Sequence, residues 1–133
     1  MAPERTLTDA DYARLLGFRT ELRRFLRWSE EQARGEGLTP AQHQLLLAVR
    51  GYDDERGPTV GDVADALLLQ HHSATGLVDR TARAGLIRRE RDPEDGRVVR
   101  LRVTRAGAAR LARLSRRHLQ ELERLQTGTV MAR

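Results

Sequence analysis

The side chains with chemical capacity here are four histidines, nineteen carboxylates and twenty-four basic residues, all of the last arginine; cysteine is absent. Their spacing argues against catalysis. His71 and His72 are adjacent, so on a helix they point about 100° apart and cannot share one metal ion. His43 and His118 lie far from them in sequence. Without thiols no metal cage is expected within one chain, and neither a disulfide nor a thiol redox switch is available. The sequence has no glycine-rich phosphate loop, nucleophile elbow or usefully spaced carboxylate pair, and Asp53-Asp54-Glu55 reads as a solvated loop. The expectation is a protein with no enzymatic activity, no cofactor and no metal. The arginines are more telling. Between Arg80 and Arg117 there are thirteen of them against four acids, Glu90, Asp92, Glu94 and Asp95. A solvated surface is the plainer account of such a run. An excess of this size on one segment fits better with a positive field over a nucleic-acid face.

That excess sits in a definite frame. Leu77, Val78, Ala74, Ala82 and Ala84 give the segment after Gln70 a narrow apolar side, and His71, His72, Ser73, Thr75 and Arg80 give it a polar one, the pattern of an amphipathic helix. Gly85 supplies a left-handed stop. Two extended segments, 86–91 and 97–103, then flank Asp92-Pro93-Glu94-Asp95-Gly96, a run of turn formers. A polar helix followed by a basic hairpin predicts a winged helix-turn-helix, with the helix in a DNA major groove and the hairpin at the backbone or minor groove. His71, His72, Ser73, Thr75 and Gly76 are then candidate base readers, with Arg80 beside them. Ser and Thr donate or accept, His donates to guanine or phosphate, and glycine permits close approach. Alternatively, several of these only cap the helix or touch phosphate. Arg88, Arg89, Arg91, Arg100 and Arg102 are candidate phosphate contacts, some of them facing solvent or acidic partners instead.

The elements that must position these residues are helical. From Asp9 to Gly35, Tyr12, Leu15, Phe18, Leu22 and Phe25 or Leu26 recur at three- and four-residue steps. This predicts an amphipathic helix of about 26 residues and about 40 Å, longer than one small core can cover, so part of its stripe is expected to meet a second subunit. Thr39-Pro40-Ala41-Gln42 is a capping box opening a helix to Arg50 that buries Leu45, Leu46 and Val49, with His43 a core or interface residue. Thr59 with Asp62 caps another, with Val60, Val63, Ala64 and Leu67 inward. Thr104 caps a last helix whose stripe of Ala108, Leu111, Leu114 or Ser115, His118, Leu122 and Leu125 is expected to end at Thr127-Gly128-Thr129. At 133 residues this is one domain, mainly α with a small β-hairpin. No stretch is apolar enough to span a membrane, and the N-terminus lacks a signal-peptide core, so a cytoplasmic protein is expected. The net charge of +5 and pI near 11.0 suit an acidic polymer as partner.

Leu77-Val78-Asp79-Arg80, Ala84-Gly85-Leu86-Ile87-Arg88-Arg89, Asp95-Gly96-Arg97 and Val103-Thr104-Arg105-Ala106-Gly107 together resemble the MarR family of bacterial transcriptional regulators, over about 38–125. The chain departs from the family pattern at Thr81 and Val103, where leucine is usual. The resemblance implies a homodimer, with residues 9–35 and 104–126 as dimerisation helices and 38–103 as the winged helix-turn-helix lobe. It implies a repressor bound to double-stranded DNA at a palindromic operator. At the wing tip it implies Arg97 in the minor groove, held by Asp95. It also implies a small aromatic anionic effector between the dimerisation helices and the lobe, where Tyr12, Trp28 and His43 would lie nearest. Members usually continue into a further C-terminal helix, whereas this sequence runs eight residues past Leu125, so a smaller interface or a rearranged tail is expected. Two other readings stay open: an architectural DNA-binding protein without effector, and a protein-interaction module that kept the fold.

Overall fold

A computed structural model describes residues 3–131, with side chains to Gln126. In chain order it has α1 (Asp9–Gly35), α2 (Pro40–Arg50), α3 (Val60–Leu67), α4 (His71–Arg83), β1 (Ile87–Arg91), β2 (Val99–Val103) and α5 (Arg105–Met131).

Local chemistry starts most of the helices. Thr8, Thr39 and Thr59 each accept a hydrogen bond from the backbone N–H three residues on, and Asp11, Gln42 and Asp62 return it to the threonine N–H. Each box satisfies two amide donors that a helix start leaves open. Thr104 does more. Its hydroxyl accepts from the Gly107 N–H at 3.1 Å and donates to the Gly85 carbonyl at 2.6 Å, so one side chain joins the end of the α4 turn to the start of α5. Gly107 makes that junction possible: a Cβ there would lie 2.2 Å from the Leu86 oxygen. Gly85, at φ +75°, closes α4, with the Leu86 N–H donating to the Thr81 carbonyl at 3.2 Å.

The hairpin is antiparallel, pairing Ile87 with Val103, Arg89 with Leu101 and Arg91 with Val99. Leu101 N–H also donates to the Pro58 carbonyl at 2.8 Å, tying β2 to the α2–α3 loop. Both strands start later than the sequence pattern indicates. Leu86 is still bonded to α4, and residues 97 and 98 belong to the turn, where Arg97 N–H donates to Asp95 Oδ1 and Val98 N–H to the Asp95 carbonyl.

The core joins Leu45, Leu46 and Val49 of α2, Val63 of α3, Leu77 and Val78 of α4, and Leu86, Ile87 and Leu101 of the hairpin to Ala33, Leu111 and Leu114. Thr81 is fully buried among them, its hydroxyl donating to the Leu77 carbonyl at 2.7 Å. Ala84, expected on the apolar side of α4, is exposed, because it is the C-cap where the helical period stops. The last helix does not stop at Thr127-Gly128-Thr129 but continues to Met131; one glycine costs a helix only about 1 kcal/mol, too little to end it alone. In α1 the sole buried residue is Ala33. No helix among the described residues is long and apolar enough to cross a membrane.

Candidate DNA-binding surface

The first turn of α4 projects His71, His72 and Ser73, all exposed and, among the described residues, without a side-chain hydrogen bond. None of them caps the helix. The N-cap is Gln70, and it makes no side-chain cap bond, so the open amide donors of this turn face outward. Thr75 is tied to its own helix, its hydroxyl donating to the His71 carbonyl at 3.0 Å. Gly76 has a specific neighbour: a Cβ there would meet Arg80 Nη1 at 3.3 Å. The Arg80 guanidinium therefore lies back over Gly76, one turn nearer the free end of the helix.

At the hairpin tip Asp95 Oδ1 accepts from the Arg97 N–H and Nε, both at 3.1 Å, and Oδ2 accepts from Nη2 at 3.3 Å. The Arg97 side chain is nonetheless 92% exposed. These bonds, the side-chain one first, hold the Asp95 carboxyl below its usual range. The strand arginines divide. Arg88 is exposed and has no ion-pair partner among the described residues. Arg89 pairs with Asp79 of α4, Arg102 with Glu90 at 3.1 Å, and Arg91 donates to the Gly96 carbonyl at 2.8 Å. Arg100 is one of those that face an acidic partner. Its guanidinium is only 16% exposed and is bonded to Asp92 at 3.1 Å and to the Gly57 carbonyl at 3.2 Å. It is a structural cation and not a free phosphate contact. Period-two reasoning could not separate it from Arg102, since the two lie on the same face of β2.

Away from this surface, Trp28 and His43 flank His118, with ring centroids 4.9 Å from it in each case. His118 Nδ1 lies 2.7 Å from the Leu114 carbonyl and Nε2 lies 2.6 Å from Ser29 Oγ. A carbonyl only accepts, so Nδ1 carries a proton. Burial, and then the neighbouring His118, lower the His43 pKa. Tyr12 does not join this group. It is 58% exposed and sixteen residues before Trp28 on the same helix, about 24 Å away along the axis. The spacing of a stripe gives its face but not its depth. His118, which completes the cluster, was visible only as one polar member of the α5 leucine stripe.

The model of the MarR family matches residues 36–98. Among solved structures, a MarR family transcription regulator is 25% identical, covering 90% of this chain and 78% of that one at a TM-score of 0.77. A MarR family protein from Bacillus stearothermophilus is also 25% identical, covering 90% and 82% at 0.76. Over residues 36–98 the chain is similar to the MarR family, and it shares the fold of these solved MarR family proteins. The complex of S. aureus MepR with DNA shares the fold at 19% identity, covering 93% and 85% with a TM-score of 0.69. No curated protein matches the chain. The motifs shared with that family acquire physical roles here: the Asp79 of LVDR holds Arg89 on the first wing strand, and Gly107 is the residue on which α5 closes against Leu86.

Proposed function

We propose that this chain is a sequence-specific transcriptional repressor that binds double-stranded DNA as a homodimer in the bacterial cytoplasm. One observation carries the reading. While most wing arginines are tied to acids or carbonyls, His71, His72 and Ser73 at one end of α4 and Arg97 at the hairpin tip are exposed on the same lobe. His71, His72, Ser73, Thr75 and Gly76, with Arg80 lying over the last, would read the major groove. Arg88 would meet phosphate, and Arg97, held by Asp95, would enter the minor groove, whose narrow A·T tracts concentrate negative potential. The dimer reading rests on α1 and α5, whose Leu15, Phe18, Leu22, Leu26, Leu119 and Leu122 are 46–68% exposed. An apolar stripe of that length on a monomer marks an interface. Residues 9–35 and 104–126 are thus read as dimerisation helices and 38–103 as the DNA-binding lobe.

For an aromatic effector there is a cleft of about 410 Å³ between α1 and α5, lined by Phe25 and Trp28, where Arg24 and Arg124 are paired with Glu21 and Glu121. An effector that weakens DNA binding must bind the DNA-incompetent form better. Selection of bound sequences from a random duplex pool tests the whole reading. The expected product is a palindrome with half-sites about 34–36 Å apart. Equal retention of all duplexes would instead support an architectural protein, and retention of none a protein-interaction module. Salicylate at millimolar levels leaving both operator affinity and melting temperature unchanged would remove the effector from the proposal.

A further inference from the structure

We infer that Asp92 and Arg100 are the positioning residues of the wing: a buried ion pair where the turn leaves the strands fixes where the exposed Arg97 points. The inference rests on the reading of the wing as a minor-groove reader. Asp92 is 5% exposed and is the one buried carboxylate among the described residues. Both of its oxygens are engaged, in three hydrogen bonds. Oδ1 accepts from the Glu94 N–H at 2.8 Å and the Asp95 N–H at 3.2 Å, and Oδ2 accepts from Arg100 Nε at 3.1 Å. Its own N–H donates to the Val98 carbonyl at 2.9 Å. The Glu94 amide first, then the Asp95 amide and the Arg100 guanidinium, keep the carboxyl below its usual range, so it is charged at neutral pH.

These bonds form a chain of command. Arg100 Nη1 reaches the Gly57 carbonyl, and Gly57 sits at φ +84° where a Cβ would lie 2.8 Å from the Leu101 oxygen. The α2–α3 loop, itself part of the folded lobe, therefore holds Arg100. Arg100 holds Asp92, Asp92 sets residues 94 and 95, and Asp95 holds Arg97. A buried ion pair is poor evidence for stability, because desolvation offsets its attraction. Its value here is geometric. An apolar pair of the same size would seat the hairpin on the lobe but would supply no acceptor for the two turn amides.

Asp92→Asn tests this. The amide keeps the volume and can still accept from residues 94 and 95, but it offers only one oxygen, and its NH₂ faces the Arg100 donor. The link to Arg100 is thus cut selectively. The readout is affinity for two operators that differ only in A·T or G·C at the flanks. Arg97→Ala should weaken binding about 5- to 150-fold, mostly on the A·T-flanked duplex. Asp92→Asn should weaken it on the same duplex by between about 3-fold and the full Arg97→Ala loss. The combined variant should lose little more than Arg97→Ala alone, since one residue acts through the other. If Asp92→Asn does not fold, Asp92→Asn with Arg100→Met leaves no buried charge unpaired and is measured in its place. Loss of equal size on both duplexes, additive losses, or an Arg97→Ala effect without an Asp92→Asn effect would each overturn the inference while leaving the wing reading intact. An Arg97→Ala variant that binds normally would overturn both.

Discussion

The helix-turn-helix lobe and the first helix solve the same problem unequally. In the lobe, α2, α3, α4 and the hairpin bury Leu45, Leu46, Val63, Val78, Leu86 and Leu101 to 2% exposure or less. In α1, twenty-seven residues bury one alanine, while Tyr12, Leu15, Leu16, Phe18, Leu22 and Leu26 stay 46–68% exposed. Hydrophobic content does not explain this, since both regions carry apolar residues at helical spacing. The lobe has four elements to close around a point, and α1 has only its last turns against α2 and α5. There Ser29 meets His118, Gln32 meets Arg117, and Glu36 pairs with Arg113 and Arg117. One region is finished by its own chain. The other, on the proposed reading, is finished by a second copy.

The largest effect should come from breaking the seam where α5 joins the lobe. Gly107→Ala would put a methyl 2.2 Å from the Leu86 oxygen and 3.0 Å from Val103 Cγ1. Backbone cannot yield as a side-chain tip does, so a loss of about 3 kcal/mol or more is expected, read from urea unfolding. A loss under about 1 kcal/mol would mean that α5 does not need this close approach.

Identical truncations then sharpen the contrast. Leu45→Ala, in a fully buried site, should cost about 2–5 kcal/mol at any protein concentration. Leu22→Ala, at 46% exposure in one chain, should instead make stability depend more strongly on concentration, because its burial comes with the partner. Leu15→Glu with Leu22→Glu should give a monomeric mass in light scattering while the lobe keeps its fold. A dimer that survives both glutamates would mean that α1 is covered by something other than a second copy.

How much of this was legible follows from the range of each interaction. The boxes at Thr39/Gln42 and Thr59/Asp62 and the stop at Gly85 depend on three or four residues, so short-range chemistry suffices to read them. The exposure of His71, His72 and Ser73 follows from a single helical period. Arg100 depends on Gly57, forty-three residues away, and nothing in the local pattern separates it from Arg88 or Arg102. Asp92 read as one of several turn formers, and its burial comes from that same remote partner. Tyr12 and Trp28 share a helix, but only Trp28 meets α5; which part of a helix is covered is set by where the other helix crosses it.

At the seam, His43 of α2 faces His118 of α5, and its pKa is lowered by burial and then by that neighbour. The unfolded chain, with a histidine near 6.5, binds a proton that the folded chain refuses. Stability from this group is therefore complete above about pH 6.5 and declines as pH falls through the lower folded value. The carboxylates lowered in the fold, such as Asp92 and Asp95, titrate below this window. Urea midpoints should fall between pH 7.5 and 5.5 (about one unit either side of the reference value), and His43→Leu should flatten that fall. An unchanged slope in His43→Leu would place the proton uptake on another group.

The smallest effect probes the one place where the lobe is not self-consistent. Leu68, the C-cap of α3, sits at φ 55° and ψ 43° with 92% of its surface exposed. A left-handed conformation costs a residue with a Cβ roughly 1–2 kcal/mol, and this side chain recovers almost none of that by burial. Leu68→Gly removes the strain without opening a cavity. It also loosens the unfolded chain, which gives back roughly 0.5–1 kcal/mol. The net expectation is a gain of up to about 1 kcal/mol, or a rise in melting temperature of about 2–8 °C depending on how large the cooperative unit is. The backbone bonds at the turn, Leu68 N–H to the Asp65 carbonyl and Leu69 N–H to the Ala64 carbonyl, do not involve the side chain and should persist. A loss of stability in Leu68→Gly would show that the exposed leucine is covered in the dimer, and the boundary between the finished and unfinished regions would then have to be redrawn around the end of α3.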